Sequence, residues 1–319
     1  MISLFDGIYR NRRTASSSQL QLMLKLSQQD LMNGVVEISY SPEEKILFLL
    51  NAGKITCAYE CKGDLISRAS LPNVSALLNG RPEGAIRVCP LAPSFLRAVK
   101  TIVEQPHSSK TFPTLTAAIP NLIQECQKLP DASLLHVRWP TAEGFVFVPG
   151  NNFPARQYAF LTEGQTSDSA GAVSMFSRWS ETNCSAAQYI GDPAVAIWKE
   201  NNLQLGFALL IEQIMRRYEE LVGHLLSRKL EDSINRFSRT QSWNILVANT
   251  AVDDVQLFDT FSDGAVAYRS IFDLASRQIA GVIGPRLFGE AMESGLDGLG
   301  APLHQAVQDA DLITAVPAN

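Results

Sequence analysis

Two segments of this chain carry the same pattern 99 residues apart. Residues 36–48 read Val-Glu-Ile-Ser-Tyr-Ser-Pro-Glu-Glu-Lys-Ile-Leu-Phe, and residues 135–147 read Leu-His-Val-Arg-Trp-Pro-Thr-Ala-Glu-Gly-Phe-Val-Phe. Laid side by side without a gap, Val36 meets Leu135, Ile38 meets Val137, Tyr40 meets Trp139 and Glu44 meets Glu143. Ile46 then meets Phe145, and Phe48 meets Phe147. Each segment alternates in polarity, passes through a polar turn and alternates again, which is the pattern of a β-hairpin. The echo predicts two related β modules, although two unrelated amphipathic hairpins would also look alike. Two copies fall short of a solenoid array.

The flanking sequence extends each hairpin. Leu20, Leu22, Met23, Leu24 and Leu26 follow Ser16, Ser17 and Ser18, any of which can cap a helix packed on the sheet. Asn51-Ala52-Gly53-Lys54 reads as a second turn, and Ile55–Tyr59 as a third strand. Asn73–Leu78 reads as helical. Phe95, Leu96, Val99 and Ile102 place one apolar side on a helix over Pro93–Glu104. Residues 105–114 read as an exposed loop, and Leu122, Ile123 and Cys126 as a short helix. Tyr158–Leu161 is expected to be the third strand of the second hairpin. His136 is expected to alternate outward from the face carrying Leu135 and Val137. Residues 162–172 read as a flexible surface loop.

The last third changes character. Leu203, Phe207, Leu210, Ile211, Ile214, Tyr218, Leu221, Val222 and Leu225 recur at steps of mostly three or four, which predicts one helix over 202–230. Trp243–Val247 fits a strand or the start of a second helix. Residues 253–288 read as helical, with breaks near Gly264 and at Gly284-Pro285.

The block from Ser18 to Tyr59 resembles the PATAN domain, the PatA-type N-terminal domain of bacterial signalling proteins. A Leu-rich helix (Leu20 to Leu26) leads to Asn33-Gly34 and an apolar strand ending near Ile38. Ile46-Leu47-Phe48 then runs into Asn51-Ala52-Gly53-Lys54-Ile55 and Ala58. In the second hairpin Asn152-Phe153-Pro154 stands where the family has its glycine turn. The resemblance implies a protein-interaction or regulatory module, and it carries over no catalytic residue.

The expected fold class is α+β. One or two small antiparallel β modules with flanking helices precede a mainly helical region. The expected domains are a PATAN-like module over 1–130, a related β module over 131–201, a helical domain over 202–292 and a flexible tail over 293–319.

Chemical signatures are sparse. Cys57, Cys61, Cys89, Cys126 and Cys184 form an odd, scattered set that fits reduced thiols. Cys57 and Cys61 on one strand would stand roughly 13 Å apart, too far to share a metal. His107, His136, His224 and His304 accompany no nucleophile elbow, and Gly53-Lys54 lacks the rest of a phosphate loop. A net charge of −5 makes nucleic acid an unexpected partner, despite the small basic arm of Arg10, Arg12 and Arg13. No apolar run reaches the ~18 residues of a membrane span, and no secretion signal is evident, so the expected location is cytoplasmic.

The reading reached from sequence is a non-enzymatic bacterial signalling or scaffolding adaptor with no cofactor. The alternative is a small-ligand-sensing regulator with a pocket between modules, and a third is an enzyme of unrecognised chemistry. The candidate interface residues are Phe207, Ile211, Ile214, Tyr218, Leu221, Leu225 and Trp243, which would serve a protein partner or a homodimer. Trp139, Trp179 and Trp198 read as core or rim of the second module.

Overall fold

The computed structural model describes residues 13–30, 32–63, 65–69, 77–79, 81, 83–105, 107–115, 118–162, 165–168 and 183–312. The start of the basic arm, Asn73 to the residue before Leu77, Trp179 and residues 313–319 lie outside the described residues.

The fold is α+β. The first sheet uses β1 (Arg13–Ala15), β2 (Gly34–Ser39), β3 (Glu44–Asn51), β4 (Lys54–Lys62), β5 (Leu65–Arg68) and β6 (Gly84–Pro90). Helix α1 (Ser17–Gln29) separates β1 from β2, and α2 (Pro93–Glu104) follows β6. The second sheet uses β7 (Lys110–Leu115), β8 (Ser133–Trp139), β9 (Ala142–Val148), β10 (Arg156–Thr162), β11 (Gln165–Asp168) and β12 (Asn183–Ile190). Here α3 (Ile119–Gln127) separates β7 from β8, and α4 (Ala196–Val222) follows β12.

The strand orders are β1-β6-β2-β3-β4-β5 and β7-β12-β8-β9-β10-β11. Adding six to each label of the first gives the second, so one topology occurs twice. Details repeat as well. Leu91 N–H, just past β6, bonds to the Asn33 carbonyl at 3.0 Å, and Gly191 N–H, just past β12, bonds to the Ala132 carbonyl at 2.7 Å. An aromatic residue, Phe95 or Trp198, sits fully buried in the first turn of the helix that follows.

The gapless echo holds in part. Ile46 opposes Glu60, and Phe145 opposes Ala159, so β3-β4 and β9-β10 share one register. The first strands do not. Ile46 opposes Ile38 in the first sheet, whereas the Phe145 ring stacks on His136 instead of lying beside Val137. Four residues (40–43) join β2 to β3, but only two (140–141) join β8 to β9. A one-residue slip turns every side chain of a strand to the other face.

The register explains the burial of both faces of the first sheet. Val36, Ile38, Ile46, Phe48, Leu50, Ala58 and Ile86 share one face and pack with Leu20 and Leu24 of α1. Ser16 is the cap of that helix, its N–H donating to the Gln19 side chain at 2.9 Å. The opposite face packs on α2. Every residue of α2 from Ser94 to Val103 is buried, because this helix also packs against the second sheet. Phe95 meets Phe145 edge-on at 5.1 Å. The burial extends to the polar side of α2, including Arg97, Lys100 and Thr101, so the side chosen by Phe95, Leu96, Val99 and Ile102 is part of a larger contact surface.

The chain divides into two compact units: residues 1–124, 134–147 and 155–190 form the first, and residues 125–133, 148–154 and 191–319 the second. This departs from the fourfold division at 130, 201 and 292. Both sheets fall in the first unit because α2 lies between them.

The second unit contains α4, α5 (His224–Thr240), the hairpin β13 (Ile245–Ala248) and β14 (Ala251–Asp254), α6 (Phe261–Ile283), α7 (Pro285–Asp297) and α8 (Ala301–Asp309). The single helix expected over 202–230 is two helices that meet at Gly223, whose φ of 83° and ψ of 165° suit glycine alone. Gly284 repeats this corner between α6 and α7, with φ 85° and ψ 154°. Gly264 breaks nothing, since α6 begins earlier, at a capping box between Thr260 and Asp263. The tail expected from 293 is ordered through Leu312. Leu303, Ala306 and Val307 of α8 are buried, and α8 packs on α4. Two further corrections concern loops. Residues 110–115 and 165–168 are strands, added to the sheet edges by pairing with β12 and β10.

Candidate functional site

The predicted interface stripe divides at Gly223. Phe207, Ile211, Ile214 and Tyr218 are buried, because α4 is packed on by α6, α7 and α8. The Phe207 ring stacks on Tyr268 at 4.4 Å. These four residues are core within one chain, which corrects their assignment to an open docking face. Trp243 is half-buried between Phe237 and Phe258, with edge-on rings at 5.9 and 6.4 Å. Leu221 and Leu225 remain open, at 40% and 71% exposure. The left-handed corner at Gly223 turns the chain away before the stripe is completely covered.

Val282, at 53% exposure, flanks the second glycine corner. Gln278 Nε2 donates to Ser233 Oγ at 2.7 Å, tying α6 to α5. Phe237 and Trp243, at the end of α5, lead through Phe258 to Tyr268 near the start of α6. The two helices are therefore antiparallel, and the corners lie at one end of the pair. At ~1.5 Å rise per residue, Leu225 and Val282 differ by roughly 6 Å in height along it. Among the described residues this end gathers three of the exposed large aliphatic side chains.

The densest set of ionisable side chains surrounds α2. Glu37 accepts from Arg87 Nη2 at 2.8 Å and from Ser39 Oγ at 3.1 Å, with Lys45 Nζ at 3.8 Å. Tyr59 OH donates to Glu104 at 2.6 Å, and Arg68 stands 3.8 Å from the same carboxylate. On the side of the second sheet, Arg97 donates to Gln157 at 2.6 Å and lies 4.7 Å over the Phe147 ring. His136 is buried, not outward as its alternation implied. It lies 3.2 Å from Glu143 and stacks on Phe145 at 4.4 Å.

Burial raises the Cys57 thiol above its usual range, against the pull of Lys100 and Arg68. Burial likewise pushes Cys61 up to about 11. Tyr59 is raised much further, by burial first and then by Cys57 and Glu104. These shifts hold the groups neutral, which suits an interior and opposes nucleophilic use of either thiol. Glu37 and Glu104 in this seam each face cationic side chains, as buried charge requires. The seam fastens α2 between two sheets.

A second set of buried polar side chains went unrecognised in the sequence. Asn235 Oδ1 accepts Val247 N–H at 2.7 Å, and its Nδ2 donates to Val247 O at 2.8 Å. Glu231 accepts from Thr250 N–H at 2.7 Å, and Glu212 from Val252 N–H at 2.9 Å. Gln204 donates to Asp254 O at 2.7 Å. These side chains pair with the outer backbone of the β13–β14 ribbon as a neighbouring strand would. The available signal was polar residues standing inside helices where the apolar stripe should continue.

Among the described residues no group of three or more His, Cys, Asp or Glu side chains is placed to hold a metal ion. No helix among them is long and apolar enough to cross a membrane. No protein-family model matches the chain, and no curated protein or solved structure matches it significantly.

Proposed function

We propose that this chain is a non-enzymatic scaffolding or signalling adaptor that acts by protein–protein contact, with its docking point at the Gly223 corner. The observation that carries this reading is the exposure of Leu221 and Leu225 at the end of a stripe that is core from Leu203 to Tyr218. Exposed aliphatic side chains that gather at one place mark interaction sites in soluble proteins. Two points support it. The ionisable groups around α2 are occupied with one another. The resemblance of residues 18–59 to PATAN domains points to a regulatory module of bacterial signalling chains, in keeping with a cytoplasmic setting.

The test is affinity purification of the tagged full-length chain beside a Leu221→Asp/Leu225→Asp variant, with bound proteins quantified by mass spectrometry. A stoichiometric partner held by the wild type and lost by the variant supports the reading. A partner retained by the variant moves docking elsewhere. No partner with either removes the adaptor reading and favours the ligand-sensing alternative.

A further inference from the structure

We infer that Gly223 is a hinge through which two copies of this chain exchange residues 224–312. In the exchanged pair α4 and α5 straighten into one helix, and residues 224–312 of each copy pack on α4 of the other. The inference goes beyond the adaptor reading and does not rest on it.

The sequence favours a continuous helix at this point. Ile214, Tyr218, Val222, Leu226, Leu230 and Ile234 form a row at steps of four that passes across Gly223. The hydrogen bonds of both helices already reach the glycine. Gly223 N–H donates to the Glu219 carbonyl at 2.8 Å, and the Gly223 carbonyl accepts from Ser227 N–H at 3.3 Å. Turning φ and ψ of this one residue into the helical region adds the bonds from residues 224–226 to 220–222.

The second corner cannot straighten. Gly284 has nearly the same conformation and the same two bonds, its N–H to the Ala280 carbonyl at 2.9 Å and its carbonyl from Phe288 N–H at 3.2 Å. Pro285 follows it. Proline disfavours a helical residue before it, has no N–H to donate and clashes with the carbonyl four residues back. Gly284 is therefore a fixed joint, whereas Gly223 is followed by His224.

The occupant is a second copy because straightening within one chain strips α4 of its cover. The contacts at stake are Phe207 on Tyr268 at 4.4 Å, Glu212 with Val252 N–H at 2.9 Å and Gln204 with the Asp254 carbonyl at 2.7 Å. An identical α4 restores each of them, which is the basis of exchange between protomers. Leu221 and Leu225, exposed in the single chain, flank the point where the two long helices pass each other.

The test uses the full-length chain. A Cβ at Gly223 or at Gly284 meets no atom within 4 Å, so alanine opposes each corner only through its backbone. At Gly223 it also favours the straight helix. Sedimentation velocity is run on the wild type, Gly223→Ala and Gly284→Ala. Spin labels at Arg217→Cys and Arg239→Cys, beside native thiols that are all buried, give the distance along the hinge. Labelled chains are refolded with an excess of unlabelled chains, so that only distances within one chain are read. Exchange predicts a Gly223→Ala dimer with a dissociation constant at least about a hundredfold below that of the wild type. Its labels should stand roughly 33 Å apart, as on one straight helix, farther than in the wild-type monomer. Gly284→Ala should stay monomeric. A monomeric Gly223→Ala overturns the inference, as does a dimer with labels at the wild-type distance, or the same dimer from Gly284→Ala. If Gly223→Ala does not fold, the wild type and His224→Pro are refolded from urea at high protein concentration. Proline is tolerated at the first position of α5 but blocks straightening. The wild type should then give a dimer fraction that His224→Pro lacks, and equal fractions, including none in either, overturn the inference.

Discussion

Asn152 holds a left-handed backbone, φ 61°, at the position 99 residues after Gly53, whose φ is 75°. Ala52 and Asn151 precede them at 48° and 49°. Each pair has the positive φ values of the type I′ turn, which at Ala52-Gly53 joins β3 directly to β4 and at Asn151-Asn152 lies within the longer loop from β9 to β10. Asparagine tolerates this region better than any other residue except glycine. The second module thus keeps the turn with asparagine in place of glycine at this position.

Asn152→Gly is expected to leave stability within about 0.5 kcal/mol of wild type. Asn152→Val is expected to cost about 1–2 kcal/mol, since a β-branched residue resists positive φ. Urea unfolding of the full-length chain reads both. A valine variant as stable as wild type would show that the turn does not need this backbone.

The buried thiols and phenol set an alkaline limit. Cys57, Cys61 and Tyr59 all have folded values above their unfolded ones. Above about pH 9 the unfolded chain releases these protons and the folded chain keeps them, so folding stability falls as pH rises. The loss begins with the thiols near their ordinary value, and the Cys61 share runs up to about 11. The Tyr59 share begins near 10, the unfolded phenol value. Tyr59→Phe is expected to flatten the upper part of this slope. At neutral pH the same variant is expected to cost about 1–3 kcal/mol, because Glu104 loses a buried donor. Melting temperature against pH, with and without the substitution, checks the sign.

Asn235→Leu removes two hydrogen bonds and leaves the Val247 N–H and carbonyl without partners inside the second unit. A loss of about 2–4 kcal/mol is expected. Amide exchange should accelerate across residues 245–254 before it does so elsewhere. Uniform acceleration would mean that the ribbon unfolds only with the whole unit.

Gly206 allows α8 to lie close on α4. A Cβ there would stand 2.9 Å from Val307 Cγ2 and 3.0 Å from the Leu303 carbonyl oxygen. Gly206→Leu is therefore expected to push α8 off α4 and cost about 2–3 kcal/mol, as overpacking does. Limited proteolysis near residues 298–300 reports the detachment.

Local pattern made much of this architecture legible. Alternation marked β2, β3, β8 and β9, and helical spacing marked α2 and the stripe of α4. Contacts formed far along the chain were not legible. The sandwiching of α2 depends on which face each sheet presents, and a one-residue slip at the shorter turn changed the pairing of β8 with β9 in the second sheet. Gly223 looked like one more residue in a helical run, because a glycine within a periodic stretch does not announce its φ. Gln204, Glu212, Glu231 and Asn235 drew no reading from the sequence, since the hairpin they hold begins only at Ile245. For the candidate site, the stripe was visible, but its division into core and exposed corner was set by α6, α7 and α8.

The most direct measurement is hydrogen–deuterium exchange on the full-length chain, alone and in the complex it forms with its partner. The account predicts slowed exchange in peptides covering 219–229 and 281–287, with peptides over 34–62 unchanged. Protection confined to the sheets, with no change at the Gly223 corner, would contradict it.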